Sequence, residues 1–177
     1  WAVTNFYDSF VTCLREKQAE ELRLYFYSVT NAGWNEVERD LKHWKNRTGK
    51  EVVAYIGTDH GLTDPDALQS MIDANISLRI MRHYDGVFHP KVIWFKARRN
   101  HTILVGSNNL TRDGLTHNIE FATISQLSSV NDGMKQWHKR VHHASELITA
   151  AHLQSYRRER EDYQQDAAQA GFGGVYT

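Results

Sequence analysis

Hydrophobic residues along the first half of the chain alternate between helical and strand spacing. An apolar stripe at helical spacing precedes "ELRLYFYSV", whose aromatic and branched residues predict a strand. A second stripe ends near Gly49, before the strand "EVVAYIGT". Asp64 and Pro65 then predict a capped helix start, and the strand "LRIMRHY" follows. Strands that alternate with helices predict right-handed crossovers and a mixed, largely parallel α/β sheet with helices on both faces.

After Gly86 the pattern changes to consecutive strands. "HPKVIWFKA" and "HTILVGS" are separated by a short polar turn, which predicts a hairpin, and "IEFATISQL" predicts a further strand. One long helix is expected from about Ser129 to Glu161, followed by a loose "QQDAAQAGFGGVYT". We therefore expect a single domain over residues 1–162 and a flexible tail or linker over 163–177.

Composition limits the possible partners. The chain has 177 residues, 41% of them hydrophobic, which suffices for one sizeable core. Its 21 basic residues balance 21 acidic residues, so any binding of anions must be local. Residues 79–99 contain six lysines and arginines against Asp85, an excess of five. This excess predicts a basic patch at the HPK segment, although a solvated strand edge is the simpler alternative.

Cysteine content and hydropathy predict a soluble protein of a reducing compartment, the cytoplasm. Cys13 is the only cysteine, so the sequence has no disulfide framework and no CxxC metal site. No stretch approaches the length of an apolar membrane span, and the first ten residues do not resemble a signal peptide. The absence of an initiator methionine suggests a processed chain or a fragment of a longer protein.

Two pairs of polar residues stand out near the hairpin. Residues two apart on a strand share a face, so His89 is expected beside Lys91 and Ser107 beside Asn109. Glu120, at the start of the next predicted strand, is close enough in topology to join them. These groups suit attack on a phosphodiester by a neutral imidazole, with the ammonium and carboxamide holding the transition-state charge. Neither a metal ion nor another cofactor is expected.

"HPK" followed by "GSNNLTRDGLTHNIE" resembles the HxK and GSxN signature of the phospholipase D superfamily. The GSxNLT version, with its following GL and NxE, is most similar to the nuclease branch, found in restriction-type endonucleases and helicase-associated domains. The resemblance implies that His89 forms a phosphohistidine and that Lys91 and Asn109 bind phosphate. It also implies that Ser107 supports the site and Glu120 orients the histidine.

One position departs from the family pattern, and one half of the site is missing. The usual aspartate five residues after the lysine is Lys96 here, a change that weakens a lipase assignment more than a nuclease assignment.

The mechanism needs a second histidine to protonate the leaving oxygen, and this chain carries a single motif. Single-motif enzymes of the superfamily complete the site as two-fold dimers, so the resemblance implies a homodimer with both His89 side chains at the axis.

Several other residues have simpler explanations. His138 and His142 have zinc-ligand spacing on a helix but no third ligand, so they are interpreted as a polar helix face. Asp59, His60 and Asp64 are interpreted as a loop and helix cap near a possible cleft. The tryptophans on the helical stripes are assigned to the core; they are Trp34, Trp44 and Trp137. The role of Trp94 is left open.

The preferred hypothesis is a metal-independent phosphodiesterase or endonuclease, part of a restriction or defence protein, acting on nucleic acid, with DNA favoured over RNA. Because the net charge is zero, sequence recognition is expected from further domains or subunits. Two alternatives stay open. A non-catalytic phosphate-binding or nucleic-acid-binding module would bind without turnover, and a phospholipid diester hydrolase would need a large apolar groove or interfacial patch.

Overall fold

In the computed structural model, which describes residues 2–3, 5–17, 19–82 and 84–170, helices cover a central β-sheet. The described strands are β1 (Ala2–Val3), β2 (Glu21–Phe26), β3 (Glu51–Ile56), β4 (Ser77–Met81), β5 (Lys91–Lys96), β6 (His101–Gly106), β7 (Ala122–Leu127) and β8 (Ser145–Leu147). The described α-helices are α1 (Phe6–Glu16), α2 (Asn31–Thr48), α3 (Pro65–Asp73), α4 (Arg112–Thr116), α5 (Asp132–His143) and α6 (Ala150–Gln169). Among these helices, none combines the length and apolar character needed to cross a membrane.

The sheet has the strand order β1-β7-β6-β5-β2-β3-β4-β8. Strands β2, β3 and β4 are parallel neighbours, and every other pairing between the described strands is antiparallel. The mixed α/β fold is thus confirmed, but the prediction of a largely parallel sheet was wrong outside β2–β4. A short turn connects β5 to β6. Because a short turn can join only antiparallel neighbours, these two strands could not be parallel.

Local signals at the helix ends explain where α2 and α3 begin and end. The hydroxyl of Thr30 caps α2 by accepting the Gly33 N–H at 3.1 Å, and Gly49 ends the helix with a φ of 63°. Asp64 occupies the predicted cap position of α3, with Pro65 as the first helical residue. The Asp64 carboxylate, however, accepts the Asn31 N–H of α2 at 2.8 Å, so it joins two helix starts.

The long helix predicted from Ser129 to Glu161 is two helices separated by a strand. Between α5 and α6, β8 pairs antiparallel with β4 and covers the edge that β4 would otherwise expose. Arg79 holds this edge by donating to the backbone oxygen of Ser145 at 2.7 Å. The predicted loose tail also starts inside a helix, since residues 163–169 belong to α6, while 171–177 lie outside the described residues.

Core side chains pack on both faces of the sheet. One face packs against α1, α2, α3, α4 and α6, and Trp34 and Trp44 are fully buried there, as predicted. The other face packs against α5 and includes Trp94, which is only 3% exposed. Trp137 is half-buried on α5, so its assignment to the core holds only in part.

Tyrosines of the sheet contact His138 and His142 on α5. The Tyr25 hydroxyl lies 3.0 Å from Nδ1 of His138, and the Tyr55 hydroxyl lies 3.0 Å from Nδ1 of His142. Both rings therefore pack toward the sheet instead of forming a purely solvated face. Among the described residues, no group of three or more metal-ligating side chains surrounds them.

Acidification is expected to destabilise the fold through His138. Burial first, and the Arg23 charge second, lower the pKa of His138 from 6.5 to about 4. The unfolded chain therefore binds this proton first as the pH falls, so the stability is retained above about pH 6.5 and is lost as the pH falls from 6.5 to 4. His138→Gln removes the titration but retains an acceptor for Tyr25. Urea unfolding from pH 7 to 4 should show a smaller loss in the variant than in the wild type, and equal losses would contradict the assignment.

Candidate active site

Strand pairing brings the five predicted site residues to one edge of the sheet, namely the edge formed by the start of β5 and the end of β6. β5 begins at Lys91 and β6 ends at Gly106, and these strands are antiparallel neighbours, so the two positions share an edge. Glu120 precedes β7, whose residue Ala122 pairs with Gly106. The predicted hairpin is thus confirmed. His89, Ser107 and Asn109, in contrast, lie just outside the strands, so two-residue alternation within a strand is not what brings them together.

His89 and Lys91 are in direct contact. The Lys91 ammonium lies 2.8 Å from Nδ1 and 3.0 Å from Nε2 of His89, and it donates to the His89 backbone oxygen at 3.2 Å. Lys91 is only 6% exposed, whereas His89 is exposed to solvent. A buried cation thus supports an imidazole that remains accessible to a substrate.

Tyr27 is a neighbour of this pair that the sequence did not reveal. Its ring lies 4.6 Å from the His89 ring, centroid to centroid, and the Lys91 ammonium lies 5.2 Å from the Tyr27 ring centre. The Tyr27 N–H also donates to the Pro90 oxygen at 3.1 Å. The contact depends on pairing between β2 and β5, strands far apart in sequence, so the local pattern contained no signal for it.

Electrostatics favour a neutral imidazole at position 89. Partial burial first, and the Lys91 charge second, lower the pKa of His89 below its usual 6.5. Burial also lowers the pKa of Lys91, and the negative charge of Glu120 opposes that change. A neutral histidine beside an ammonium is the combination that attack on an anionic phosphodiester requires.

Glu120 belongs to a second polar group at the same edge. Its carboxylate accepts hydrogen bonds from the Ser107 hydroxyl and, at 3.2 Å, from the Asn118 side chain. The Ser107 hydroxyl in turn accepts the Phe121 N–H at 3.1 Å. Within one chain, Glu120 thus bonds to Ser107 and Asn118 and makes no hydrogen bond to His89 among the described contacts.

The two asparagines of the GSNN segment differ in their surroundings. Asn108 is buried and donates to the Gly114 oxygen at 2.6 Å, which closes the loop before α4. Asn109 is half-buried, and its buried Oδ1 has no hydrogen-bond partner in the described part of the chain. A half-turn of the carboxamide exchanges its oxygen and nitrogen, so the group is able to present N–H donors to a phosphate.

Glycine at position 33 allows α2 to approach the GSNN loop closely. A β-carbon at Gly33 would lie 2.2 Å from the Leu110 backbone oxygen, a distance that excludes any larger residue without a shift. The Thr30 N–H also donates to Leu110 O at 3.0 Å. The start of α2 therefore determines where Asn109 lies.

Asp59 anchors the segment that leads to His89. Its carboxylate accepts the Tyr84 hydroxyl at 2.6 and 2.5 Å and the Phe88 N–H at 3.1 Å. The prediction of a loop is corrected here, because Asp59 begins a short 3-10 helix, Asp59–Gly61, for which no side-chain cap hydrogen bond is found. Asp59 acts on His89 through the backbone of residue 88, a connection that spans 29 residues of sequence.

Two cavities open on the α5 side of the sheet. One, of about 440 Å³, is lined by His89 together with Tyr84, Phe88, Trp137 and Arg140. The other, also of about 440 Å³, is a mainly apolar groove over β5, β6 and β7 that shares Trp137 with the first. The apolar groove is the feature that the lipid hypothesis required.

The basic excess of residues 79–99 does not form a single patch. Lys91 lies at one end of β5, whereas Arg98 and Arg99 follow the other end, roughly 20 Å away along the strand. Lys96 pairs with Glu21 at 2.9 Å. The prediction of one basic patch at the HPK segment was therefore wrong, because an extended strand separates its members.

Comparison with known proteins identifies the family. The family model described as "Cardiolipin synthase, PLD-like domain" matches residues 34–142, more than half of the chain and including the five predicted site residues. The chain belongs to the PLD-like domain family. No curated protein sequence matched this PLD-like chain.

Solved structures share the PLD-like fold. The phospholipase D family member Nuc from Salmonella typhimurium is 18% identical, with a TM-score of 0.61, over 84% of this chain and 99% of that chain. NucT from Helicobacter pylori is 12% identical, with a TM-score of 0.63, over 83% and 98%. Phosphatidylserine synthase from Haemophilus influenzae Rd KW20 is 12% identical, with a TM-score of 0.56, over 94% of this chain but only 43% of that chain.

Proposed function

We propose that this PLD-like chain is a metal-independent phosphodiesterase that cleaves nucleic acid, DNA in preference to RNA, through a covalent phosphohistidine at His89. The observation that carries the proposal is the contact between the buried Lys91 ammonium and the exposed His89 ring, at 2.8 and 3.0 Å. Asn109 and Glu120 lie at the same sheet edge. The arrangement supplies a nucleophile, a fixed positive charge and a hydrogen-bond donor for one phosphate.

The reaction proceeds in two displacements. A ring nitrogen of neutral His89 attacks phosphorus, the bond from phosphorus to the leaving oxygen breaks, and a protonated second histidine gives that oxygen a proton. Water then attacks the phosphohistidine, the second histidine takes the proton from the water, and His89 leaves. Lys91 and Asn109 hold the non-bridging oxygens, where negative charge accumulates in each transition state.

The second histidine is proposed to be His89 of another copy in a homodimer. This chain corresponds to nearly all of Nuc but to under half of the phosphatidylserine synthase chain, which agrees with the half-site that the family resemblance implies for a single motif. Exposed apolar side chains also flank Glu120: Ile119 is fully exposed and Phe121 is 59% exposed. Apolar groups beside an incomplete site favour coverage by a second copy.

The presence of Lys96 in place of the usual aspartate of the family is weak evidence against catalysis. Lys96 lies at the end of β5 opposite Lys91 and pairs with Glu21, so the substitution does not reach the His89 side of the strand. This placement weakens the alternative of a non-catalytic binding module. We infer that further domains or subunits supply sequence recognition, as in a cytoplasmic restriction or defence protein, and that residues 1–162 form the catalytic domain.

A phospholipid diester hydrolase is the second candidate. The apolar groove that shares Trp137 with the His89 cavity favours it, because an acyl chain requires such a surface.

Labelled DNA, RNA and phospholipid diesters incubated in excess chelator separate the candidates. We expect cleavage of nucleic acid, DNA fastest, and no lipid turnover. Activity lost with chelator would contradict the proposed chemistry. Lipid turnover alone would establish the second candidate, and binding without turnover would establish a binding module.

The pH profile is expected to depend on Glu120 in a defined direction. Glu120 raises the pKa of Lys91 against the effect of burial, so Glu120→Gln should lower that pKa. Lys91 then loses its charge at lower pH, and the alkaline limb of kcat/KM should move to lower pH. Glu51→Gln is the matched control, because it makes the same change from carboxylate to carboxamide at an exposed residue at the start of β3. An unmoved alkaline limb would contradict the assignment, whatever the loss in rate.

A further inference from the structure

The apolar groove beside the proposed active site has a defined lining. Its walls come from the face of β5, β6 and β7 that packs toward α5, and from α5 itself. The apolar lining residues are Val92, Ile103, Val105, Leu127, Met134 and Trp137. Because Trp137 also lines the cavity that His89 lines, the groove and that cavity meet at this side chain.

One buried polar atom in the groove lacks a partner. Ser125 lines the groove and is 5% exposed, and its hydroxyl has no hydrogen-bond partner in the described part of the chain. A buried hydroxyl without a partner is unfavourable, and buried polar groups in folded proteins are rarely left in this state. An apolar groove with a single free hydroxyl has the composition of a ligand site.

We propose that this groove is a nucleobase subsite, in which an unpaired base near the scissile phosphate packs against Trp137 and hydrogen-bonds to Ser125. The inference rests on the proposed phosphodiesterase function. A base combines flat apolar faces with a polar edge, which matches an apolar lining that carries one hydroxyl. An acyl chain has no polar atom to offer Ser125, so it would leave the hydroxyl unsatisfied.

The position of the groove relative to His89 suits a nucleotide two or three units from the scissile phosphate. Ser125 pairs with Ile103 of β6, which pairs with Trp94 of β5, so Ser125 lies two strand spacings, about 10 Å, from Trp94. Trp94 is a further five residues, about 16 Å of extended chain, from His89. Arg140 lines the His89 cavity and provides a cation for a phosphate between the two sites. A base within a duplex has its edge paired and its faces stacked, so the subsite predicts a preference for single strands.

Ser125→Ala tests the subsite with little risk to the fold, because it removes a hydroxyl that has no partner in the protein. With a single-stranded oligonucleotide, KM should rise about 2- to 10-fold, the loss of one hydrogen bond. An oligonucleotide with an abasic unit near the cut should show a raised KM with the wild type and no further rise with the variant. Ser129→Ala, an exposed serine beyond β7, is the control.

A small aryl phosphodiester without a base separates failure of the subsite from failure of the proposed function. Its turnover should be equal in the wild type and Ser125→Ala. If this diester turns over but single and double strands give equal KM values and Ser125→Ala has no effect, the subsite is wrong and the phosphodiesterase stands. If no diester turns over, the proposed function fails. Phospholipid turnover that Ser125→Ala leaves unchanged or raises, with no effect on the KM of oligonucleotides, would place an acyl chain in the groove and overturn the inference.

Discussion

His89→Ala is expected to reduce nuclease activity in excess chelator by about 10⁴-fold or more, since removal of a covalent nucleophile has effects of this size. Alanine leaves Lys91 and Asn109 in place, so phosphate binding should persist while chemistry stops. The measurement is the single-turnover rate on a labelled DNA strand, with binding followed by anisotropy of the same strand. Because His89 is exposed, the substitution removes little packing, and unfolding should be nearly unchanged.

A trapped adduct identifies the nucleophile directly. Acid-labile label from a 5′- or 3′-phosphoryl substrate should remain on the wild-type chain after a rapid quench and should map to the peptide that contains His89. His43→Ala, a substitution of an exposed histidine on α2, is the matched control and should keep both activity and label. Retained activity in His89→Ala, or label on a different residue, would exclude the proposed mechanism.

Mixing wild-type and His89→Ala chains is expected to depress activity as the square of the wild-type fraction. The reason is that each site of the proposed dimer needs two copies of His89, one to attack and one to protonate the leaving oxygen. A mixed dimer has only one and should be inactive. Independent one-chain sites would instead give activity proportional to the wild-type fraction. The measurement is the initial rate across mixtures of constant total concentration after subunit exchange.

Ile119→Asp is a second, independent test of the proposed dimer. The side chain is fully exposed in the single chain, so a charge there costs the fold little but would be unfavourable in an apolar interface. We expect half the solution mass of the wild type and loss of activity together. Asp132→Asn, an exposed change on α5, should affect neither. A linear mixing curve, or a fully active monomeric Ile119→Asp variant, would contradict the dimer.

Local chemistry explains which parts of the fold were predictable. The predicted strands from "ELRLYFYSV" to "IEFATISQL" all exist, because branched and aromatic residues with bounding turns are a local signal. Gly49 ends α2 as predicted, since the left-handed conformation there suits glycine. The long helix predicted across residues 129–161 failed because β8 forms only by pairing with β4, some 66 residues earlier, and no local pattern contains that partner.

The sequence alone determined the membership of the proposed site: an imidazole, an ammonium, a hydroxyl, a carboxamide and a carboxylate whose spacing resembles one family. Only the tertiary structure decided how they are held. It buried Lys91 against Tyr27, fixed the loop before His89 through Asp59, and directed Glu120 to Ser107. It also separated the cations of residues 79–99 and placed Ser125 in an apolar groove. The physical reason is that sequence spacing limits which groups can meet, whereas burial and pairing between distant strands set the contacts and the proton affinities of those groups.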